Sequence, residues 1–214
     1  SNGTFFMLLE NPLNRDILAI SLIEQNTSLP DYNLNAGDLL LGASGAGSRN
    51  IGLYEVTDAG AGATSGSESI LINGAQINID TAGADIAGLE LIESNLTIGG
   101  FNFTSGQIIA TLAQFDDSVG DTTPLSTPKY DVVALDITAT TPGSGNANAT
   151  ATRVVDGSDL SFDQDEETLI GLAFAPTISN SVMVDTATDN NDALLVDGNS
   201  SHTISHLLSN KGPD

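Results

Sequence analysis

The sequence predicts an all-β protein, an antiparallel β-sandwich with long loops rich in Gly, Asp and Asn. Apolar and polar residues alternate with period two, as they do along half-buried strands. Turn-forming residues recur about every ten positions and divide the chain into short segments. Hydrophobic residues make up 40% of the 214 positions, which is too many for a disordered chain.

Each strand is predicted where alternation and β-branched residues lie between two turn signals. Asn73-Gly74 stands between two such segments, and both residue types accept the positive φ of a type I′ hairpin turn. The predicted strands cover residues 4–9, 16–23, 38–41, 50–57, 69–72, 76–80, 89–93, 95–98, 101–103, 107–112, 130–139, 146–155, 168–174, 181–185 and 193–196.

Helical patterns are short, and only residues 111–115 and 201–208 are expected to form a turn or two of helix. The length suits one extended β-sandwich domain spanning residues 1–214. The alternative is two β domains, 1–120 and 129–214, because the stretch 116–128 with its prolines and acids is a candidate linker.

The large negative net charge of the chain arises from its scarcity of Lys and Arg. Asp and Glu number 28, an ordinary content, whereas Lys and Arg number 5, so the net charge is −23. Such a field disfavours nucleic acid and anionic membranes as partners, and makes inorganic cations the expected counter-charge. No apolar run reaches the roughly 18 residues that span a bilayer, so direct membrane insertion is not expected. Cys is absent, as in many exported proteins that fold without disulfides and in many cytosolic proteins, so this absence alone does not assign a compartment.

Three segments resemble repeats of large bacterial surface proteins. The run NLTIGGFNFTSGQIIATL at 95–112, the hairpin at 130–155 and the phrase IGLYEVTD at 51–58 are similar to Ig-like or cadherin-like modules of repeats-in-toxin adhesins exported by type I secretion. The resemblance implies a Ca²⁺-loaded, Ig-like, cadherin-like or jelly-roll-like sandwich, secreted or held at the bacterial surface. Its implied partners are a cell-surface glycan or peptide and neighbouring domains of a longer chain. The chain departs from the family by lacking the Gly-Gly-x-Gly-x-Asp nonapeptide.

Three acidic clusters are candidate Ca²⁺ sites, because this ion takes six to eight oxygen ligands from carboxylates and carbonyls. The alternative for each is a solvated acidic turn. The first cluster comprises Asp156, Asp159, Asp163, Asp165 and Glu167, the second comprises Asp185, Asp189 and Asp192, and the third comprises Asp116, Asp117 and Asp121.

No motif points to catalysis, so the chain is not expected to be an enzyme. His202 and His206 lack the Glu of a zinc-protease helix, and GASGA at 42–46 breaks the nucleophile elbow at its last position. The favoured function is a calcium-binding adhesin module that mediates attachment or acts as a spacer. The alternatives are a structural subunit of a surface layer, pilus or virion adapted to salt, and a polysaccharide-active enzyme. The absence of Trp weakens the enzyme alternative, because sugar clefts stack rings on aromatics.

Overall fold

The computed structural model describes residues 16–43, 49–59, 65–162 and 168–172, together with the backbone of 183–184 and 194–195. Its elements are antiparallel strands and two short 3-10 helices, which confirms the predicted all-β class. The chain divides into two compact units, residues 1–173 and 174–214. In the second unit the described residues form one ladder, between β15 (Met183–Val184) and β16 (Leu194–Leu195).

The first sheet is a four-stranded meander in which the first and last strands form the two edges. A two-stranded ribbon leaves it between its first two strands. The sheet contains, in spatial order, β1 (Ile17–Leu22), β4 (Leu39–Ala43), β5 (Ile51–Asp58) and β6 (Ser65–Ile72), and the ribbon contains β2 (Thr27–Leu29) and β3 (Tyr32–Leu34).

The second sheet has the same plan, with one additional ribbon between its second and third strands. A 3-10 helix follows the last strand of each sheet. The second sheet contains β7 (Ile86–Leu91), β10 (Ile108–Leu112), β13 (Val132–Thr141) and β14 (Asn146–Val155). Its first ribbon pairs β8 (Leu96–Ile98) with β9 (Phe101–Phe103), and its second pairs β11 (Asp116–Val119) with β12 (Leu125–Thr127). The helices are η1 (Gly74–Ile77), which follows the first sheet, and η2 (Gly157–Leu160), which follows the second.

The two sheets are two copies of one module, which we define as module 1 (residues 17–80) and module 2 (residues 86–162). Residues 17–43 align with 86–112 without a gap, and seven of these 27 positions are identical. Residues 49–58 then align with 130–139, and 65–80 with 148–163, because module 2 carries a longer connection after β10. The identical pairs are Ile17 and Ile86, Leu22 and Leu91, Ile23 and Ile92, Glu24 and Glu93, Asn26 and Asn95, Asn33 and Asn102, and Gly37 and Gly106.

Strand register repeats residue by residue between the modules. Leu22 pairs with Leu39 in module 1, and its counterpart Leu91 pairs with Ile108 in module 2. Register shifts fall at equivalent places in the two modules. One lies at the first residues of β1 and of β7, and the others lie at both ends of the β5–β6 and β13–β14 hairpins. Since a bulge fixes which residues oppose each other, the copies share their backbone path as well as their strand order.

The core lies between the two sheets, because alternate side chains of each sheet point toward the other. Leu40 and Leu53 of module 1 and Leu89 and Leu135 of module 2 are at most 1% exposed and belong to one apolar cluster. A smaller cluster of Leu39, Leu41 and Tyr54 lies on the opposite face of the first sheet. Both faces of this sheet therefore carry apolar residues.

Several sequence predictions are corrected. Asn73-Gly74 does not form a type I′ turn, because Asn73 is extended at φ −81° and ψ 117° and caps η1, which replaces the strand predicted at 76–80. The helical turn predicted at 111–115 is absent, since Thr111 and Leu112 complete β10. The predicted linker 116–128 contains the β11–β12 ribbon, and β10 before it pairs with β13 after it. The ribbon β2–β3 was not predicted, because its polar run of Asn, Ser and Asp hides the alternation.

Candidate functional site

A set of polar contacts recurs at the end of each module, where the last strand enters a 3-10 helix. In module 1 the side chain of Asn73 accepts a hydrogen bond from the Ala75 N–H, and in module 2 Asp156 accepts one from the Ser158 N–H. Such N-caps satisfy backbone donors that a short helix leaves free. We call this feature the capped turn.

A glycine at the start of each capped turn lets two backbone segments touch. A Cβ on Gly74 would lie well under 3.0 Å from the Arg49 carbonyl oxygen, and one on Gly157 would overlap the Tyr130 carbonyl oxygen in the same way. The next residue in each module fixes the contact, because Asn50 Oδ1 accepts the Gly74 N–H and Asp131 Oδ1 accepts the Gly157 N–H, both at 3.0 Å. The capped turn is thus held to the start of the third strand.

Module 2 adds an ion-pair cluster to this turn. Arg153 Nε lies 2.7 Å from Asp131 Oδ2, and its Nη1 lies 3.1 Å from Asp156 Oδ2. Arg153 Nη2 also donates to the Ser126 carbonyl at 2.7 Å. Asp131 is fully buried, and neither its Oδ2 nor Arg153 Nε has an aligned hydrogen-bond partner, so their contact is electrostatic.

The two carboxyls of this cluster are shifted in opposite directions. Burial raises the pKa of Asp131, and the Gly157 N–H and Arg153 offset only part of that rise. The pKa of Asp156 is lowered, chiefly by its side-chain hydrogen bond from Ser158. Both oxygens of each carboxylate face donors of the protein, so the cluster acts as a structural clamp on the capped turn.

Asp116, a predicted Ca²⁺ ligand, is also engaged inside the protein. It is fully buried, and its Oδ2 accepts the N–H groups of Asp80 and Thr81 at 3.1 and 3.0 Å. Its Oδ1 accepts the N–H of Ser118 at 3.0 Å and contacts the Ser118 hydroxyl. This carboxylate therefore ties the β11 ribbon of module 2 to the segment that leaves module 1.

The remaining described residues of the predicted sites lie apart from these contacts. Asp117 and Asp159 are exposed, and Asp121 Oδ1 accepts a hydrogen bond from the Thr122 hydroxyl. No three acidic or histidine side chains converge as metal ligands within the part of the chain that the structure describes, and Ca²⁺ binding stays a prediction. The predicted ligands outside the described residues are Asp163, Asp165, Glu167, Asp185, Asp189 and Asp192.

Sequence reasoning did not find the partners that organise this region. Asp131 and Arg153 were assigned to a strand, and Glu93 to a strand end, yet Glu93 reaches across to module 1 and accepts the N–H groups of Glu24 and Gln25. One signal was available, since Asn73-Gly74 and Asp156-Gly157 each follow an apolar residue pair that ends a strand. The recurrence of an Asx-Gly step marks the end of each module.

Among the described residues, no helix is long and apolar enough to cross a membrane. Comparisons with protein-family models, with curated proteins and with solved structures gave no match.

Proposed function

We propose that the chain is a repeat-built scaffold of a secreted or surface-exposed protein, which serves as a spacer or carries a binding surface in cell attachment. The observation that supports this is the duplication itself. Two modules with the same register share one core, and repetition of a unit that contacts its neighbours extends a protein in space.

The described polar clusters also favour a structural role. Asp131, Asp156 and Asp116 bind backbone N–H groups or Arg153, so their lone pairs hold turns in place. A general base needs an oxygen directed at a substrate, and these carboxylates direct theirs at the protein.

Calcium is proposed as the counter-ion of acids that lie outside the described residues. With a net charge of −23, the folded chain repels itself, and a divalent cation that binds only the folded form raises stability by mass action. The proposed ligands are Asp163, Asp165 and Glu167, together with the acids between 185 and 192.

Thermal melting tests this function. We expect millimolar Ca²⁺ to raise the Tm of the chain above that in EDTA, by about 5 °C or more, and more than Na⁺ does at equal ionic strength. A variant with Asp163→Asn, Asp165→Asn and Glu167→Gln should lose part of this rise, and a variant that also carries Asp185→Asn, Asp189→Asn and Asp192→Asn should lose the rest. Asp136→Asn, at an exposed position of β13, is the matched control and should keep it.

The second candidate function is a salt-adapted structural subunit of a surface layer, pilus or virion. Base depletion favours it, because such surfaces stay soluble at high salt. A Tm that follows ionic strength, with no preference for Ca²⁺, and filaments or lattices seen by electron microscopy would support it over the calcium-dependent scaffold.

A further inference from the structure

The first sheet turns one face toward module 2 and the other face away from it, and we call the second the outer face. Leu18, Ile20 and Leu22 lie on its β1 edge and are 40%, 48% and 48% exposed. Directly paired residues of neighbouring strands lie on the same face of a sheet. Leu41 pairs with Ile20, and Leu39 pairs with Leu22. The outer face is therefore apolar along both β1 and β4.

The β4–β5 part of the outer face is covered. Leu39, Leu41 and Tyr54 lie on this face and are only 4%, 1% and 2% exposed. Among the described residues, their apolar cluster has two further members, Ile17 and Val56, which belong to β1 and β5. Neighbours in the same sheet flank a side chain, but its outward end points away from all of them. The cover of these side chains is therefore supplied from outside the described residues.

The Tyr54 side chain gives a second sign of this cover. Its ring lies against β6, because a Cβ on Gly66 would lie 2.7 and 2.9 Å from two of the ring carbons. Its hydroxyl oxygen is buried and has no hydrogen-bond partner among the described residues. On an uncovered sheet this hydroxyl would face water, whereas burial without a partner costs free energy. The cover therefore extends beyond the apolar side chains to the polar end of Tyr54.

The same face of module 2 shows what the fold requires. The counterparts of Ile20 and Leu41 are Leu89 and Ala110, which are 1% and 0% exposed and lie in the core that the modules share. Module 1 covers them. Since the modules have the same strand order and register, module 1 needs an equivalent cover on its outer face. Terminal repeats of stacked arrays are closed by such a cap, which keeps the end of the array soluble.

The sequence offers one occupant within the compact unit of residues 1–173. Outside the described residues, this unit contains 1–15, 44–48, 60–64, 163–167 and Ala173. The two short stretches between strands of the first sheet consist of Gly, Ala, Ser and Thr, and 163–167 consists of acids and Gln. Large apolar side chains occur only in the first stretch, as the run Phe-Phe-Met-Leu-Leu at 5–9.

The length of this run fits the outer face. Five extended residues span about 17 Å, whereas β1 and β5 are two strand spacings apart, about 10 Å. Asp16 directly precedes β1, and residues 10–15 add about 20 Å of extended chain, which is enough to turn back over the sheet. The run therefore reaches Leu39, Leu41 and Tyr54 without any other part of the chain moving.

We propose that residues 5–9 are an intramolecular cap that lies across the outer face of module 1 and closes it. The run packs on β4 and β5, where burial is complete. It leaves the β1 row half-exposed, because a single segment is narrower than a sheet. The occupant is the N-terminal segment of the same chain, and it covers module 1 as module 1 covers module 2.

Thiol labelling of the full chain tests the cap. The chain has no cysteine, so Leu41→Cys introduces a single thiol, which the cap should protect. Phe5→Asp with Phe6→Asp should speed its labelling about tenfold or more, because two charges do not enter an apolar face. Asn11→Asp with Asn14→Asp adds the same charges to the same segment and should leave the rate unchanged. A rate that the Phe substitutions do not change, in a chain that stays folded, overturns the proposal.

A thiol in module 2 separates loss of the cap from loss of the fold. Ala110→Cys, at the counterpart of Leu41, should label slowly with and without the Phe substitutions, because module 1 covers it. If both thiols accelerate, the Phe substitutions have unfolded the protein, and cross-linking decides instead. A photoreactive benzoylphenylalanine in place of Phe6 should then form adducts on β1, β4 or β5 of the same chain. No adduct on these strands overturns the proposal, and so do adducts that join two chains, because the outer face then takes the segment of another copy.

Discussion

The capped turns of the two modules show how one backbone arrangement is held by two kinds of chemistry. In module 1 the accepting side chains are Asn50 and Asn73, and the residue at the position of Arg153 is Ile70. In module 2 the same positions hold Asp131, Asp156 and Arg153. An amide oxygen and a carboxylate oxygen accept the same backbone N–H, but only the carboxylate brings a charge that needs a partner.

Arg153, one of the five basic residues of the chain, lies beside the buried carboxylate of module 2. Asp131 is buried, and Arg153 reaches it while contacting Asp156 and the Ser126 carbonyl. Module 1 has no buried acid at this place and carries Ile70 at the position of Arg153, while its Arg49 lies beside the turn and donates to the Asp80 carbonyl. A buried carboxylate with its own base is therefore a feature of module 2, and the turn itself requires only an acceptor and a glycine.

The largest expected effect comes from the glycines that the two turns share. Gly74→Ala and Gly157→Ala should each lower the free energy of unfolding by about 3 kcal/mol, because the new Cβ meets a backbone carbonyl that cannot move aside. Urea denaturation measures the loss. Gly52→Ala is the control, since its Cβ would meet only the flexible end of Glu68. A loss at one turn without a loss at the other would contradict their equivalence.

Asp116→Ala tests the β11–β12 ribbon, which module 2 has and module 1 lacks. It leaves the N–H groups of Asp80, Thr81 and Ser118 without their acceptor, so the free energy of unfolding should fall by about 2–3 kcal/mol. Hydrogen exchange of the Asp80 and Thr81 amides should accelerate. The exposed neighbour Asp117 serves as control, and Asp117→Ala should stay within about 0.5 kcal/mol of the natural chain.

Arg153→Ile gives module 2 the residue that module 1 carries and leaves Asp131 without its cation. The expected loss is about 1–2 kcal/mol near neutral pH, below the usual value for a buried pair because Arg153 is partly exposed. Adding Asp131→Asn, which copies Asn50, should restore part of the loss. Additive effects in this double-mutant cycle would show that the two side chains are not coupled.

The loss of unfolding free energy caused by Arg153→Ile should depend on pH, because Asp131 titrates. Its pKa is raised in the folded protein, so the folded form holds the proton more tightly than the unfolded chain. Protonated Asp131 therefore stabilises the folded protein at pH values below the ordinary Asp pKa, and this contribution is lost as the pH rises through the pKa of Asp131 in the folded protein. Removing Arg153 raises this pKa further. The loss caused by Arg153→Ile should therefore shrink between neutral pH and about pH 4, and a loss that grows on acidification would contradict this assignment.

The smallest effects concern the ribbons. Asn26 Oδ1 accepts the Ala36 N–H, and Asn95 Oδ1 accepts the Ser105 N–H, both at 2.9 Å. Asn26→Ala and Asn95→Ala should each cost about 0.5–1 kcal/mol, measured by urea denaturation. Equal costs support the equivalence of the ribbons, and a difference above about 1 kcal/mol would show that their surroundings differ.

The sequence predicts the strands of the fold better than its organisation. The strand pattern identified β1, β5, β10, β13 and β14. Side chains alternate between core and solvent along β1 and β14, whereas all five residues of β10 are buried. The repeat was not predicted, since only seven of the 27 positions in its gap-free part are identical, and the other residues differ between the copies, some conservatively, as Leu and Ile, Tyr and Phe, or Asn and Asp. The contacts of Asp116, Asp131 and Glu93 join residues far apart in the chain. Local patterns place such acids in loops or strand ends, and folding decides which of them become buried.

The matching strand register also has a consequence for how the chain reaches its native state. Strands that pair in the same register could exchange partners between copies, as when β4 pairs with β7 in place of β1, and tandem repeats misassemble in this way. The side chains differ at such positions, with Leu41 and Gly42 in one copy where the other has Ala110 and Thr111. A swapped pair would bring together side chains whose volumes do not match, and each wrong pairing would leave a void or a clash. The divergence of the two copies thus protects the chain against assembling itself in the wrong order.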